Sequence, residues 1–225
     1  MSEPQRGRTA AAAPGEAGGG RQVVKFGAIV AAVLLAAAGF AAPAGEVTPA
    51  GQKLAERLDA MDVEHHWLAG AHVDWRTGDP DRGTPFKSHC SVFVAAACER
   101  LGVYILRPPD HGQVHLASAQ QEWLRGEGAA HGWRPVGSPY EAQRLANQGQ
   151  VVVAVYGSPD PAKPGHIAVV RPSEKSAARI AVEGPQIIQA GAENWSSTSV
   201  QAGFRHHRGA WQSARRFAVE FYAHP

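Results

Sequence analysis

The sequence carries almost no net charge, and this excludes one large class of proteins. Its formal charge is +2 over 225 residues. Residues 45–225 hold 18 of the 22 Lys and Arg side chains and 18 of the 20 Asp and Glu side chains, so this part of the chain is formally neutral. A nucleic-acid binder needs a dense basic footprint. We therefore expect no nucleic-acid partner.

Repeats and metal-ligand clusters are also missing from the sequence. We find no internal repeat, and the 11 histidines are not spaced as zinc ligands are. Most of them, His206 and His207 included, lie in polar stretches and are interpreted as surface or loop residues. We therefore expect no metal ion. The 25 glycines and 16 prolines favour a turn-rich fold over a helical bundle.

The first 44 residues have the composition of an export segment. Residues 1–25 are rich in Ala, Gly and Arg and lack periodicity, which predicts disorder. Residues 26–42 contain no charge, follow basic residues and end in an Ala-Pro-Ala pattern. This is typical of a cleaved secretory signal; the alternative is an uncleaved anchor, which alone would then contact the membrane. Either way we expect residues 45–225 to be exported and to form a single domain.

Only two cysteines are present, Cys90 and Cys98, and they cannot form a disulfide with each other within one chain. Residues 91–101 have a helical, Ala-rich pattern, and eight residues of helix rise by about 12 Å. A disulfide needs Cα atoms within about 7 Å. An unpaired cysteine in an exported protein needs an explanation, and a catalytic thiol is one. Cys98 lies beside Ala95–Ala97 and is interpreted as a core residue.

Helix and strand patterns follow each other in an α+β order. Thr48 and Ser138 each precede a proline, as N-cap residues do, and Ser138 begins a capping box with Glu141. Helices are predicted at residues 49–62, 91–101, 116–125 and 140–148. Strands are predicted at residues 151–156 (buried and central), 166–170, 179–183, 186–189 and 217–222. Residues 70–87 are predicted as a loop and 101–106 as a short strand or extended link.

The chemistry is predicted to centre on Cys90, at the start of a helix. A helix N-terminus carries partial positive charge and unpaired N–H groups, which favour a thiolate and can hold an oxyanion. His166 follows Pro-Gly and begins a strand, so it is the preferred base; His72 and His89 are its competitors. His89 adjoins the thiol in sequence, where side-chain geometry is seldom good, and is predicted to support the site.

A Cys–His pair needs a third polar group that fixes the imidazole tautomer. An antiparallel return through QIIQAGAENW brings Gln189 and Asn194 alongside the start of the His166 strand. Both side chains offer an acceptor, and Glu193 is a further possibility. We slightly favour Asn194.

A helix-borne Cys, a Gly-His that begins a strand and a polar residue on the next strand, in that order, resemble the papain-like superfamily. Within it, HCSVFVAAACERLG, PGHIAVVRP and GPQIIQAGAENW resemble the bacterial NlpC-like and CHAP-type cell-wall amidohydrolases, over residues 85–204. His89 departs from the NlpC-type pattern, which usually has Asp before the Cys. The resemblance implies N-terminal helices and a Cys-bearing helix packed on a small antiparallel sheet, with the catalytic core at residues 85–205.

The resemblance also implies an activity, the cleavage of peptidoglycan amide bonds through an acyl-enzyme without a cofactor. Cys90 would attack the carbonyl, the Ser91 N–H would stabilise the oxyanion, and His166 would move the proton. The expected partner is a peptidoglycan stem peptide, and we expect a monomer. Alternatives are a thiol acyltransferase or transamidase on the same fold, and an inactive wall-binding module.

Substrate-binding residues are harder to predict from the sequence. The candidates for lining a cleft are Trp75, Trp123, Trp133 and Trp195. A core position is the more frequent alternative for each of them, and Trp195, next to Asn194, is the best candidate. Asp74, with the nearby Arg76, is a candidate for binding charged groups of the stem peptide.

Overall fold

The computed structural model describes residues 45–86 and 88–225; the predicted export segment and Lys87 lie outside these ranges. Six α-helices occur in them: α1 (Pro49–Asp59), α2 (Cys90–Leu101), α3 (Leu116–Gly126), α4 (Pro139–Asn147), α5 (Ala177–Glu183) and α6 (Val200–Gly203). Eight strands occur: β1 (Arg134–Val136), β2 (Val151–Tyr156), β3 (His166–Val170), β4 (Gln186–Gln189), β5 (Trp195–Ser199), β6 (Trp211–Ser213), β7 (Arg216–Phe217) and β8 (Glu220–His224). The predicted α+β class is confirmed.

Six of the strands form one antiparallel sheet in the order β1-β8-β2-β3-β4-β5. Strand β2 lies in its interior and is buried along its whole length, as its β-branched run predicts. Strands β2 and β3 pair from Val152 opposite Val170 to Tyr156 opposite His166. This register places His166 at the end of the ladder, where the strand leaves the β2–β3 connection. Strands β6 and β7 form a separate hairpin.

The sheet is covered on both faces because successive residues of a strand point to opposite sides. Val153 and Val155 of β2 belong to one core cluster with α1, α2 and α3. Val152 and Ala154 belong to the other, with α4, α6 and Trp211. Helix α2 packs on β3 in the first cluster. The first residues of both elements, Cys90 and His166, line the same cavity.

The helix boundaries follow local capping signals. Thr48 accepts a hydrogen bond from Gly51 N, and Ser138 accepts one from Tyr140 N, with proline in the first turn of both helices. Helix α2 ends at Gly102, whose φ of +79° is readily adopted only by glycine. In the described part of the chain, every helix is too short or too polar to cross a membrane.

Three features differ from the sequence expectations. Residues 179–183 belong to helix α5 rather than to a strand, because Ser176 caps the helix and Arg179 forms an i,i+4 pair with Glu183. The last predicted strand is divided between β7 and β8. Residues 103–106 lie outside the strands, which agrees with the link that was the alternative prediction there. One helix, α1, precedes α2 in the described ranges, where several were expected.

Candidate active site

Cys90 is the first residue of α2, and its helix start is open. The first backbone bond of the helix runs from Phe93 N to His89 O at 2.9 Å. The N–H groups of Cys90, Ser91 and Val92 come before that bond, so the helix itself offers them no acceptor. The Cys90 side chain is 6% exposed. The helix start therefore brings a thiol and free N–H donors to the same place.

Cys98 lies two turns further along α2 and is different in character. It is completely buried, and burial raises the pKa of its thiol to about 12. Both cysteines are free thiols. Cys98 is thus a core residue, as its alanine-rich surroundings predict.

His166 begins β3 opposite Tyr156, and the Pro-Gly before it has a steric cause. A Cβ atom at Gly165 would lie 2.6 Å from the carbonyl oxygen of Tyr156, so only glycine fits the close approach of the two strands. The imidazole is 4% exposed. The strand ladder therefore holds the backbone of His166 while its ring faces the cavity described below.

Gln189, the last residue of β4, is the polar group that contacts His166. Its Oε1 atom lies 2.8 Å from His166 Nε2. Its Nε2 atom donates to the carbonyl oxygen of Glu193 at 3.2 Å, which fixes the orientation of the amide. Because Oε1 can only accept, His166 Nε2 must carry the proton. His166 Nδ1 is then the free, basic nitrogen.

Asn194, which we slightly favoured for this role, does not contact the imidazole. Its Nδ2 atom donates to the carbonyl oxygens of Val63 at 2.7 Å and His66 at 2.8 Å, and its Oδ1 atom accepts from Gly191 N at 2.9 Å. The hydrogen bonds of its Nδ2 atom hold the β4–β5 connection against the segment after α1, and the one to its Oδ1 atom lies within the connection. Glu193 is also directed elsewhere, because its carboxylate forms an ion pair.

Burial has the largest effect on the pKa of both reactive side chains. It raises the pKa of the Cys90 thiol, although the Ser88 side chain and nearby backbone groups act in the opposite direction. It lowers the pKa of His166 to about 4, against the effect of the hydrogen bond with Gln189. The helix start favours a thiolate, but burial acts in the opposite direction and is the larger effect. Both pKa shifts favour a neutral thiol and a neutral imidazole at neutral pH.

Cys90, His166 and Gln189 line one cavity of about 810 Å³. Its walls come from the start of α2, residues 113–117, the β2–β3 connection, the β4–β5 connection and residues 202–208. Trp195 forms part of the wall, and Arg205 lies over its ring at 4.8 Å from the centroid. A cavity of this size accommodates a group as large as a short peptide segment.

Asp74 and Trp75, our other candidates for substrate binding, do not line this cavity. The Asp74 carboxylate accepts hydrogen bonds from the backbone N–H groups of Arg76 and Thr77 and so closes a turn. Trp75 is buried in the core beside α2. Arg76 pairs with Glu99 at 3.0 Å. The contacts of these residues stabilise the loop before α2.

His89 and Ser91 have supporting positions on either side of the thiol. His89 is buried and its Nε2 atom lies 3.0 Å from the carbonyl oxygen of Ala71, which ties the preceding loop to the start of α2. Burial lowers the pKa of His89 and keeps it neutral. The carbonyl oxygen of Ser91 accepts a hydrogen bond from Gln120 Nε2 at 3.1 Å, which ties the first turn of α2 to helix α3.

The sequence analysis missed His207, which lies directly against the base. Its ring stacks on that of His166, with centroids 5.1 Å apart and 14° between the planes. Phe204 meets the same imidazole edge to face at 4.6 Å. We interpreted His207 as a surface residue because its neighbours are polar. The available signal was its spacing of three residues from Phe204, which places two rings on one side of a helical turn.

No protein-family model matches the chain, and no curated protein matches it significantly. Among residues 45–86 and 88–225, no three His, Cys, Asp or Glu side chains gather in a way that could hold a metal ion. The geometry of the cavity is therefore the main source for an argument about function.

Proposed function

We propose that this chain is an exported cysteine hydrolase that cleaves amide bonds in peptidoglycan stem peptides, as a monomer and without a cofactor. One observation carries the proposal: His166 Nε2 lies 2.8 Å from Gln189 Oε1 in the cavity that Cys90 also lines. A thiol at a helix start, a base and a tautomer-fixing amide are the parts of a cysteine acyl-transfer site. Their chain order and the antiparallel sheet support a papain-like fold of the NlpC-like or CHAP type.

The reaction would begin from the neutral pair. His166 Nδ1 accepts the proton of the Cys90 thiol as sulfur attacks the amide carbonyl carbon. The open N–H groups at the start of α2, Ser91 among them, are donors for the oxyanion. The imidazolium then gives its proton to the leaving amine. A water molecule, deprotonated by His166, attacks the thioester and releases the acid with the thiol restored.

The cavity wall supports a substrate with charged groups of both signs. Lys163 pairs with Asp160 at 3.4 Å on the β2–β3 connection, and Arg205 pairs with Glu193 on the same cavity wall. Trp195 adds a flat apolar surface beside Arg205. A stem peptide carries both charged and apolar groups. Export and the peptidoglycan target rest on the N-terminal segment and on the family resemblance.

The experiment is digestion of purified peptidoglycan by the full chain, with released fragments identified by mass. Cys90→Ala removes the nucleophile. Cys98→Ala is the matched control, because it removes the other thiol of the same helix, which is completely buried and does not line the cavity. We expect the wild type and Cys98→Ala to release muropeptides and Cys90→Ala to release none, and the fragment masses would name the bond.

Two other outcomes would favour the alternatives. If no variant releases fragments while Cys90 still reacts with a mild alkylating reagent, the thiol acts on another acyl group, and a transferase becomes the better explanation. Competition between water and an added amine would then identify the acceptor. If Cys90 does not react at all, an inactive wall-binding module is the better explanation.

A further inference from the structure

The hydrogen bond from Gln189 does not by itself fix the orientation of the catalytic imidazole. The hydrogen bond at Nε2 holds one atom of the ring. Nε2 lies close to the axis of the Cβ–Cγ bond, so the ring can still turn about that bond while the hydrogen bond persists. Such rotation changes the direction of the Nδ1 lone pair, which the proposed reaction needs for accepting the thiol proton. A second contact, on the face of the ring, is needed to fix its plane.

His207 makes that contact. Its ring lies nearly parallel to the His166 ring, with 14° between the planes and 5.1 Å between centroids. Phe204 meets His166 edge to face, with 75° between the planes. The imidazole is thus restrained by one neighbour in its plane, one on its face and one edge-on contact.

His207 is itself held in place by the turn that follows α6. Its backbone N donates to Phe204 O at 2.9 Å, and its carbonyl oxygen accepts from Ala210 N at 3.0 Å. The Tyr156 ring lies 5.8 Å from the His207 ring, and the Tyr156 hydroxyl donates to the carbonyl oxygen of Arg208. The β2 strand that positions His166 therefore also positions this turn, so the two rings share one support.

We propose that His207 is a positioning residue that fixes the plane of the His166 imidazole, the base that the proposed reaction requires for the Cys90 thiol. The inference rests on the proposed function, because it gives His166 the role of base. Partial burial and the nearby His166 and His206 lower the pKa of His207 to about 4, so the stacking ring is neutral at neutral pH and does not repel a proton on its neighbour. His207 acts through its ring face and needs no contact with the substrate.

The test compares four variants of the full chain. His207→Ala removes the ring, His207→Leu keeps volume without a flat face, and His207→Phe keeps the flat face without nitrogens. His224→Ala is the structural control: it removes another histidine that packs on an aromatic ring, Trp133 at 5.5 Å, and that does not line the cavity. The measurements are kcat and KM on peptidoglycan fragments, the alkylation rate of Cys90 at neutral pH, and the melting temperature.

We expect His207→Ala and His207→Leu to lower kcat and the alkylation rate about two- to tenfold, the range for loss of one aromatic contact, with KM unchanged. His207→Phe should recover most of both rates, and His224→Ala should change only the melting temperature. The inference is overturned if His207→Leu reacts as fast as the wild type, or if His207→Phe is as slow as His207→Leu. If His207→Ala does not fold, the comparison of His207→Leu with His207→Phe still tests the positioning role.

The alkylation rate separates this inference from the proposed function. If His166→Ala slows alkylation of Cys90 but the wild type digests no peptidoglycan, the function is wrong. The His207 series then still supports or overturns the positioning role, because alkylation needs the oriented base and no natural substrate.

Discussion

Gln189 offers the sharpest test of how the site works. In Gln189→Ala, His166 loses the acceptor for its Nε2 proton. The ring can then rotate or adopt the other tautomer, in which Nδ1 carries the proton and cannot accept the one from the thiol. Gln189→Glu is the informative second variant, because it keeps an acceptor at this place and adds a negative charge.

The magnitude follows from the change in this hydrogen bond during the reaction. When His166 takes up the thiol proton the bond becomes charge-assisted, and such bonds contribute about 1.5–3 kcal/mol. A tenfold change in rate corresponds to about 1.4 kcal/mol. We therefore expect Gln189→Ala to lower kcat about 10- to 100-fold. KM should change little, because the amide bonds His166 and Glu193 rather than the substrate.

Gln189→Glu should act on the pH profile. The pKa of His166 is lowered to about 4, and a carboxylate beside the imidazole raises it by favouring the charged form. Because His166 must be neutral to accept the thiol proton, activity would then be lost at a higher pH as the solution is acidified. In a plot of kcat against pH, the acid limb should therefore lie at a higher pH for Gln189→Glu than for the wild type.

The assay is kcat and KM against pH, with Asn194→Ala as control. Asn194 holds the same connection through the Val63 and His66 carbonyls, so its loss should lower the melting temperature without moving the acid limb. Wild-type kcat in Gln189→Ala would refute the reasoning. If the acid limb of Asn194→Ala moved to higher pH as far as that of Gln189→Glu, the reasoning would also be refuted. The shift would then come from a loosened β4–β5 connection rather than from the charge beside His166.

Three further predictions concern packing, protonation and stability. A Cβ atom at Gly203 would overlap Gln189 Oε1, so Gly203→Ala should lower kcat as Gln189→Ala does. This is expected although alanine is about 1 kcal/mol more favourable than glycine in a helix. An unchanged kcat would contradict the prediction. Burial raises the pKa of Cys90 and lowers that of His166 to about 4. The alkylation rate of Cys90 should therefore keep rising with pH beyond neutrality. A rate that is already constant at acidic pH would contradict this, because it would indicate a preformed ion pair of thiolate and imidazolium. The buried Asn147 side chain forms hydrogen bonds with Gly45, Gln143 and Ser173. Asn147→Ala should therefore lower the free energy of unfolding, measured by urea titration, by about 2–4 kcal/mol. A loss below about 1 kcal/mol would contradict a stabilising role for this network.

Much of the frame of the site follows from short-range signals. The open start of α2 and the glycine at its end, the buried run of β2, and the Pro-Gly before His166 are all visible over a few residues. Residues 179–183 show the limit of such signals: the stretch was predicted as a strand, but a cap and an i,i+4 ion pair make it a helix.

Gln189 and Asn194 could not be separated by sequence, because both are amides on the same return toward β3. The outcome depends on partners far along the chain: Asn194 bonds Val63, 131 positions earlier. It also depends on the irregular register between β4 and β5. Similarly, His207 belongs to the site only because the turn after α6 folds back over His166.

The sequence by itself determined the α+β class, the position of Cys90 at a helix start and that of His166 at a strand start, because capping and periodicity act between near neighbours. Only the tertiary structure decided which amide faces the imidazole, which rings surround it and how the pair is protonated. Partial charge at a helix start favours a thiolate, but burial of Cys90 is the larger effect and raises its pKa. Burial is a property of the assembled core, and no local pattern contains it.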